Sequence, residues 1–481
     1  MNYRTEKKTF SALMLGLSLL ATGCVVTRST PHKPVAVHTQ FSNNDSSATS
    51  QELNKQLLFE DKNLVALIDS AVRKNPDVLA AAHRIEVARA YWRYRRGAML
   101  PTLGVEASGG VQKYGDYTME GVGNFDTNLS PNISENQKIG QPHVPYYFLG
   151  LRSNWEIDLW GKLKQQKKAA YHRILASEQG RRLVITSLVA DIASRYYELQ
   201  ALDAELDVIE QNIRLQDSAL SIAQIQKEVG RTTELGVQQF QAQLLRTKSL
   251  YEQIKQQIVQ TENEINYLAG RLPQHVARSK NLMDGTLPEV HLAGLPQQIL
   301  NYRPDVKQAE LELEANHADV TAAKAALLPA LTISPFAGYS SFNTATLFNP
   351  ASIAYGIIGG LTGPLLNRSE MKANISRTEA EKQIAYQDYF RSVINAFNEV
   401  ETTLSDLRFL KNIYELNRQE ASVLSNAIST SKELYKVGYA TYLEVITAQG
   451  NAIEAQINAI ETKKNIHLAL IALYRSTGGG W

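Results

Sequence analysis

The stretch VGYATYLEV (437–445) repeats, at its Val-Gly, Thr, Leu and Val positions, a phrase met 208 residues earlier, VGRTTELGV (229–237). Each copy interrupts a long segment without proline, since none of the 15 prolines falls in 146–272 or 365–481. Apolar residues in these segments keep a 3-4 spacing. Leu199, Leu202, Leu206, Ile209, Ile213 and Leu220 do so before the first phrase, and Val393, Phe397, Val400, Leu404, Leu407 and Tyr414 before the second. A 3.5-residue period reads as coiled-coil helix. A helix over 162–229 would run roughly 100 Å at about 1.5 Å per residue before reversing at the glycine and returning over 232–270. The second phrase sits between helices expected at 366–437 and 441–475. Both phrases are therefore read as the turns of very long helical hairpins, where glycine supplies a positive φ.

The repetition extends further. NPDV (75–78) matches RPDV (303–306), and AMLPTL (98–103) matches ALLPAL (326–331), both at an offset of 228. Because the later phrases are offset by only 208, the first half carries about twenty extra residues, which fit in the polar Gly/Asn/Pro-rich segment 112–145. The chain is thus a duplicated unit, with repeat 1 over 51–290 and repeat 2 over 291–481. After each Leu-Pro the residues alternate. Leu103, Val105, Ala107 and Val111 oppose Thr102, Glu106, Ser108 and Gln112. Tyr147, Leu149, Leu151, Trp155 and Ile157 oppose Arg152, Asn154, Glu156 and Asp158. Such alternation predicts strands with one apolar and one polar face, at 102–112, 146–158, 330–340 and 351–362, with a helix over 304–328 between the repeats' strands.

The N-terminus adds a destination. RTEKK (4–8) and the apolar run FSALMLGLSLLA (10–21) end at LATGC, so Cys24, the only cysteine, follows small residues. This reads as a lipoprotein signal over 1–23 with Cys24 carrying lipid, although Ala21 stands where leucine is commoner. Val25 after the cysteine, in place of aspartate, favours the outer membrane. Residues 24–50 are polar and read as a lipid-anchored extended linker.

No part of the mature chain has the roughly 18 consecutive apolar residues of a spanning helix. Strands must cross instead, and only closed barrels do so. Four strands fall short of the smallest barrels, of about eight strands, so a membrane role requires oligomerisation. The fold class expected is mixed and mainly α: four transmembrane β-strands and long coiled-coil helices per chain.

At this point the chain resembles the outer-membrane efflux channels, in their lipoprotein branch. The resemblance rests on RPDV (303–306), LLPAL (327–331), WEIDLWGKLK (155–164), GPLLNR (363–368), YKVGYATYLEVITAQ (435–449) and ALYRSTGGGW (472–481). It implies a homotrimer with a twelve-stranded β-barrel continuous with an α-helical barrel. It also implies two partners, a periplasmic adaptor (membrane fusion) protein and an inner-membrane pump of RND type. The resemblance assigns adaptor docking to the tip residues Val229, Gly230, Val437 and Gly438. It puts a periplasmic gate at Leu443 and Glu444, with Thr447 at a second position that is often acidic and Tyr435 as an aromatic latch. A type I secretion duct and a lipid-anchored scaffold without a pore are the competing readings.

Catalytic chemistry has no foothold. Phosphate-loop, H-E-x-x-H and G-x-S-x-G patterns are missing from the sequence, and nine histidines lack ligand spacing. No cofactor is expected beyond the lipid on Cys24. With 50 basic and 48 acidic residues, no nucleic-acid partner is indicated. Arg152, Glu156 and Asp158 are expected to solvate a pore.

Overall fold

The structure, a computed structural model, describes residues 61–140, 142–279, 282–283, 302–363 and 368–479. Cys24, the signal and the linker lie outside the described residues. In chain order the elements are α1 (Lys62–Lys74), α2 (Pro76–Gly97), β1 (Thr102–Gln112), α3 (Met119–Leu129), β2 (Val144–Ile157), α4 (Lys162–Glu228), α5 (Glu234–Leu268), α6 (Pro304–Ala325), β3 (Ala330–Ser341), β4 (Ile353–Thr362), α7 (Arg368–Val437) and α8 (Tyr442–Ser476). Helix α3 falls in the segment read from sequence as a Gly/Asn/Pro-rich loop. Thr118 caps it by accepting from the Gly121 N–H at 3.1 Å.

Two compact units divide the chain, and each draws on both sequence repeats. One comprises Val87–Ile174 and Glu312–Tyr386 and holds the sheet; the other includes Leu175–Leu311 and Gln387–Trp481 and holds the helical hairpins. In the first unit the four strands form one antiparallel sheet in the order β1-β2-β3-β4. The register pairs Val105 with Leu151, Leu151 with Ala337 and Ala337 with Tyr355. Because side chains alternate with period two, this register gathers Leu103, Val105, Leu151, Ile333, Ile357 and Leu361 on one face. Glu106, Ser108, Arg152, Asn154, Thr332 and Ser334 fall on the other. The apolar face is bare: Val105 is 78% and Ile357 72% exposed.

In the second unit the main core packs α1 against α4 and neighbouring helices through Leu64, Ile68, Ile192, Tyr196, Leu199 and Ile265. Asp61 caps α1 and accepts hydrogen bonds from the Tyr196 and Ser279 hydroxyls, each at 2.5 Å. Burying each of the leucines and isoleucines of this core contributes about 1.5–3 kcal/mol.

The NPDV and RPDV copies have one structural job. Asn75, held out of the helical region by the following proline, ends α1 and starts α2. Its Oδ1 accepts from Asp77 and Val78 N–H, and its Nδ2 donates to the Leu268 carbonyl at 2.9 Å. Arg303 donates to the equivalent Ser476 carbonyl at 3.0 Å while paired with Asp305 and Glu399. The glycines behind these carbonyls are equally constrained. A Cβ on Gly270 would lie 2.6 Å from the Lys74 oxygen, and one on Gly478 2.8 Å from the Tyr302 oxygen. The motif is a clasp between the start of each repeat and its last helix.

Candidate functional site

Two regions carry side chains that the core does not explain, and each lies within one unit. The first is the pair of hairpin turns. After α4, Gly230 at φ +71 lets its N–H reach Lys227 O (3.0 Å), and the Arg231 N–H reaches Gln226 O (2.8 Å). After α7, Gly438 at φ +86 does the same: its N–H reaches Tyr435 O (3.2 Å) and the Tyr439 N–H reaches Leu434 O (2.9 Å). Both turns are Schellman closures, in which a left-handed glycine satisfies the last carbonyls. Thr233 and Thr441 then cap the returning helices, accepting from Gly236 and Leu443 N–H. The repeated phrase is therefore a helix stop and a helix start, three residues apart.

The two turns differ in side chains. In the first, Lys227 pairs with Glu234 across the reversal. In the second, Glu444 completes a capping box by accepting from the Thr441 N–H at 2.8 Å and from its hydroxyl. These hydrogen bonds to the charged form hold the Glu444 carboxyl below the ordinary carboxylate range. The resemblance puts Glu444 at an aperture; in the structure its carboxylate is engaged in the cap and stays ionised and exposed.

Behind the turns, the two hairpins share a small core of Ala219, Ala223, Val237, Phe240 and Val445. Tyr435 packs into it, its ring 6.0 Å from Phe240. Its hydroxyl is buried without a hydrogen-bond partner among the described residues. Tyr442 rests over Gly236, where a Cβ would meet the ring at 3.4 Å. Tyr435 and Tyr442 thus join one hairpin to the other. Val229 (65%), Val437 (67%), Tyr439 (86%) and Leu443 (62%) are left exposed at the turns, as is Thr447 one turn along α8. Leu235 and Tyr439 were not singled out from sequence; their signal was an apolar side chain on a turn that has no core to fill.

The second region is the polar face of the sheet. Arg152 and Glu106 form an ion pair there. The Arg152 guanidinium lies over the rings of Phe148 (5.6 Å) and Phe336 (5.7 Å). Phe148 is only 3% exposed. Gly150 and Gly356 make the floor on which the rings lie, since a Cβ on Gly150 would stand 2.9 Å from Phe148 and one on Gly356 2.7 Å from Phe336. Of the expected pore residues, Glu156 pairs with Lys162 at 2.5 Å. Asp158 lies beyond β2, where it caps α4 by accepting from Leu163 and Lys164 N–H. Phe148, Phe336 and Glu106 were not assigned a pore role from sequence, although strand parity puts all three beside Arg152.

Among the described residues no helix is long and apolar enough to cross a membrane, and no cluster of His, Cys, Asp and Glu could hold a metal ion.

The sequence profile of the family described as "Outer membrane efflux protein" matches residues 67–271 and 295–479. The chain is 26% identical over 474 residues to the cation efflux system protein CusC of Escherichia coli O6:H1, covering 97% of each. It is 27% identical over 425 residues to the solvent efflux pump outer membrane protein SrpC of Pseudomonas putida, covering 88% of this chain and 86% of the relative. A crystal structure of a membrane protein from Pseudomonas aeruginosa superposes with a TM-score of 0.82 at 27% identity, over 95% of this chain and 98% of that one.

Proposed function

The chain belongs to the outer membrane efflux protein family and is an outer-membrane exit duct of an efflux system; we propose that three copies build one passive conduit. A periplasmic adaptor and an inner-membrane pump of RND type feed it. The observation that carries this reading is the open sheet. Among the described residues β1 and β4 each have one unpaired edge, and the apolar face beside them has no covering layer. Unpaired edges cannot persist in a bilayer. Three sheets of four strands joined edge to edge give twelve strands, with apolar faces to lipid and polar faces to the bore. A scaffold without a pore would leave the apolar face in water.

In this arrangement Arg152 and Glu106 line the bore. The turns of α4–α5 and α7–α8 stand at the periplasmic entrance. Val229, Gly230, Val437 and Gly438 meet the adaptor, and Leu443 narrows the opening beside Glu444 and Thr447, with Tyr435 bracing the second hairpin from behind. Lipid on Cys24 adds an anchor. Reconstitution in planar bilayers tests the reading: discrete conductance steps from a heat-modifiable oligomer are expected. Assembly without conductance would refute it.

A further inference from the structure

The rim where helices meet strands carries charge that the duct reading leaves unused. The pairs Thr102–Asn154, Leu331–Ile157 and Ala330–Thr362 bring the start of β1, the end of β2, the start of β3 and the end of β4 to one side of the sheet. Aromatic residues mark that side. Trp155 donates to Met99 O (3.1 Å) and Trp160 to Pro329 O (2.7 Å), and Trp160 remains 47% exposed. Helix α2 runs into β1 with YWRYRR (91–96). Arg95 lies over Tyr91 and Tyr94, at 5.0 and 5.5 Å, and bonds Gln166. Arg96 lies over Trp92 at 5.6 Å. Arg93 and Arg96 are exposed, and among the described residues no carboxylate pairs with either.

Across the rim, α4 opens with KLKQQKK (162–168) and has no acidic residue in its first turn. Lys162 is taken by Glu156, but Lys164 and Lys168 are exposed and pair with no carboxylate among the described residues. Lys164, in the first turn, runs against the macrodipole and Lys168, beyond it, gains nothing from it, so the helix itself gives no reason for either. The C-terminal dipole of α2 would account for Arg95 and Arg96 alone, not for the lysines. Unpaired cations beside exposed indoles and phenols, next to an apolar sheet face, are the composition of a membrane interface facing negative charge.

We propose that this rim binds the phosphodiester headgroups of an anionic phospholipid, of the phosphatidylglycerol class, in the leaflet adjoining the helices. Arg93, Arg96, Lys164 and Lys168 supply the charge, and Tyr91, Tyr94 and Trp160 the interfacial seating. The inference rests on the duct reading, because it needs the apolar face to be in a bilayer.

The full-length protein, extracted in detergent and exchanged into phosphatidylcholine with or without phosphatidylglycerol, provides the test. Native mass spectrometry is expected to show phosphatidylglycerol retained in preference to phosphatidylcholine, with the preference falling as salt rises. Each charge removed should lower it roughly fivefold, so Arg93→Gln with Arg96→Gln and Lys164→Gln with Lys168→Gln each weaken it, and the fourfold variant loses it. Arg93→Lys with Arg96→Lys should retain it. Equal retention by the fourfold variant overturns the proposal, as does wild-type retention that is indifferent to salt, an arm that needs no variant to fold. Cations lining the bore instead would shift ion selectivity and leave lipid retention unchanged, which also overturns it. Absence of conductance in both lipids would count against the duct itself, whereas conductance without lipid preference counts only against the rim.

Discussion

Among the described residues four glycines with positive φ end long helices, Gly230, Gly270, Gly438 and Gly478, and the space around them separates two expected outcomes. At Gly438 (φ +86) nothing lies within 4 Å of an added Cβ, and the same holds at Gly230. At Gly270 (φ +64) the Cβ would stand 2.6 Å from the Lys74 oxygen. All four share the left-handed backbone cost, about 1–2 kcal/mol for a residue with a Cβ. Only the clasp glycines add a backbone collision, which requires the α1–α2 junction to move. Gly438→Ala should therefore give a heat-modifiable oligomer whose melting falls slightly, while Gly270→Ala should fail to assemble or melt far lower. Asparagine tolerates the left-handed region, so Gly438→Asn removes most of the strain and leaves a side chain projecting into open space. If an adaptor reads this turn, Gly438→Asn assembles and conducts but loses adaptor-dependent export, measured as susceptibility to exported compounds. Normal export by Gly438→Asn and Gly438→Leu would refute docking at this turn. Equal loss of assembly at Gly438 and Gly270 would refute the reasoning from space.

Leu443→Ala removes an exposed side chain that the protomer's core does not use and keeps helix propensity, so it should raise bilayer leak without lowering melting; unchanged conductance would rule out the gate role. Tyr435→Phe deletes a buried hydroxyl that lacks a partner and should leave the hairpin core as stable or more so; a marked loss of stability would reveal a partner for that hydroxyl. Glu205 on α4 is pushed up to about 7 by burial, and then by the Glu461 carboxyl opposite. Lys464 on α8 opposes the shift, and Arg195, Glu198, Gln257, Gln260 and Glu264 line the same cavity. Between roughly pH 4.3, the unfolded value, and pH 7 the folded chain holds a proton that the unfolded chain has released. Stability should accordingly fall by on the order of 3 kcal/mol as pH rises through that window, then level off. Glu205→Gln should flatten this part of the melting profile; an unaltered pH slope would exclude Glu205 as its source.

The sequence made much of this legible because the signals were periodic. Strand parity alone separates Val105 from Glu106, and the hairpin phrase encodes its stop glycine and start threonine in order. What escaped depends on depth and not on direction. Phe148 shares a parity with Arg152, but it is Gly150, two residues along the same strand, that leaves room for its ring, since a Cβ there would stand 2.9 Å from it. Tyr435 falls at the right place for a latch, yet Ala219 and Ala223, far away in sequence, open the socket that draws it into the protomer's own core. Glu444 is three residues past Thr441, a capping-box spacing that a reading focused on the aperture passes over. Helix α3 was missed because Gly121 and Gly123 lower helix propensity.

The twin Schellman turns carry a consequence for counting. Their backbones are alike, while their side chains are not: Arg231 and Gly236 on one occupy the places of Tyr439 and Glu444 on the other. A ligand that grips main-chain groups finds two equivalent handles per chain. One that discriminates by side chain finds a single handle of each kind. Binding stoichiometry, measured against chain concentration, is thus a direct readout of which chemistry recognition uses.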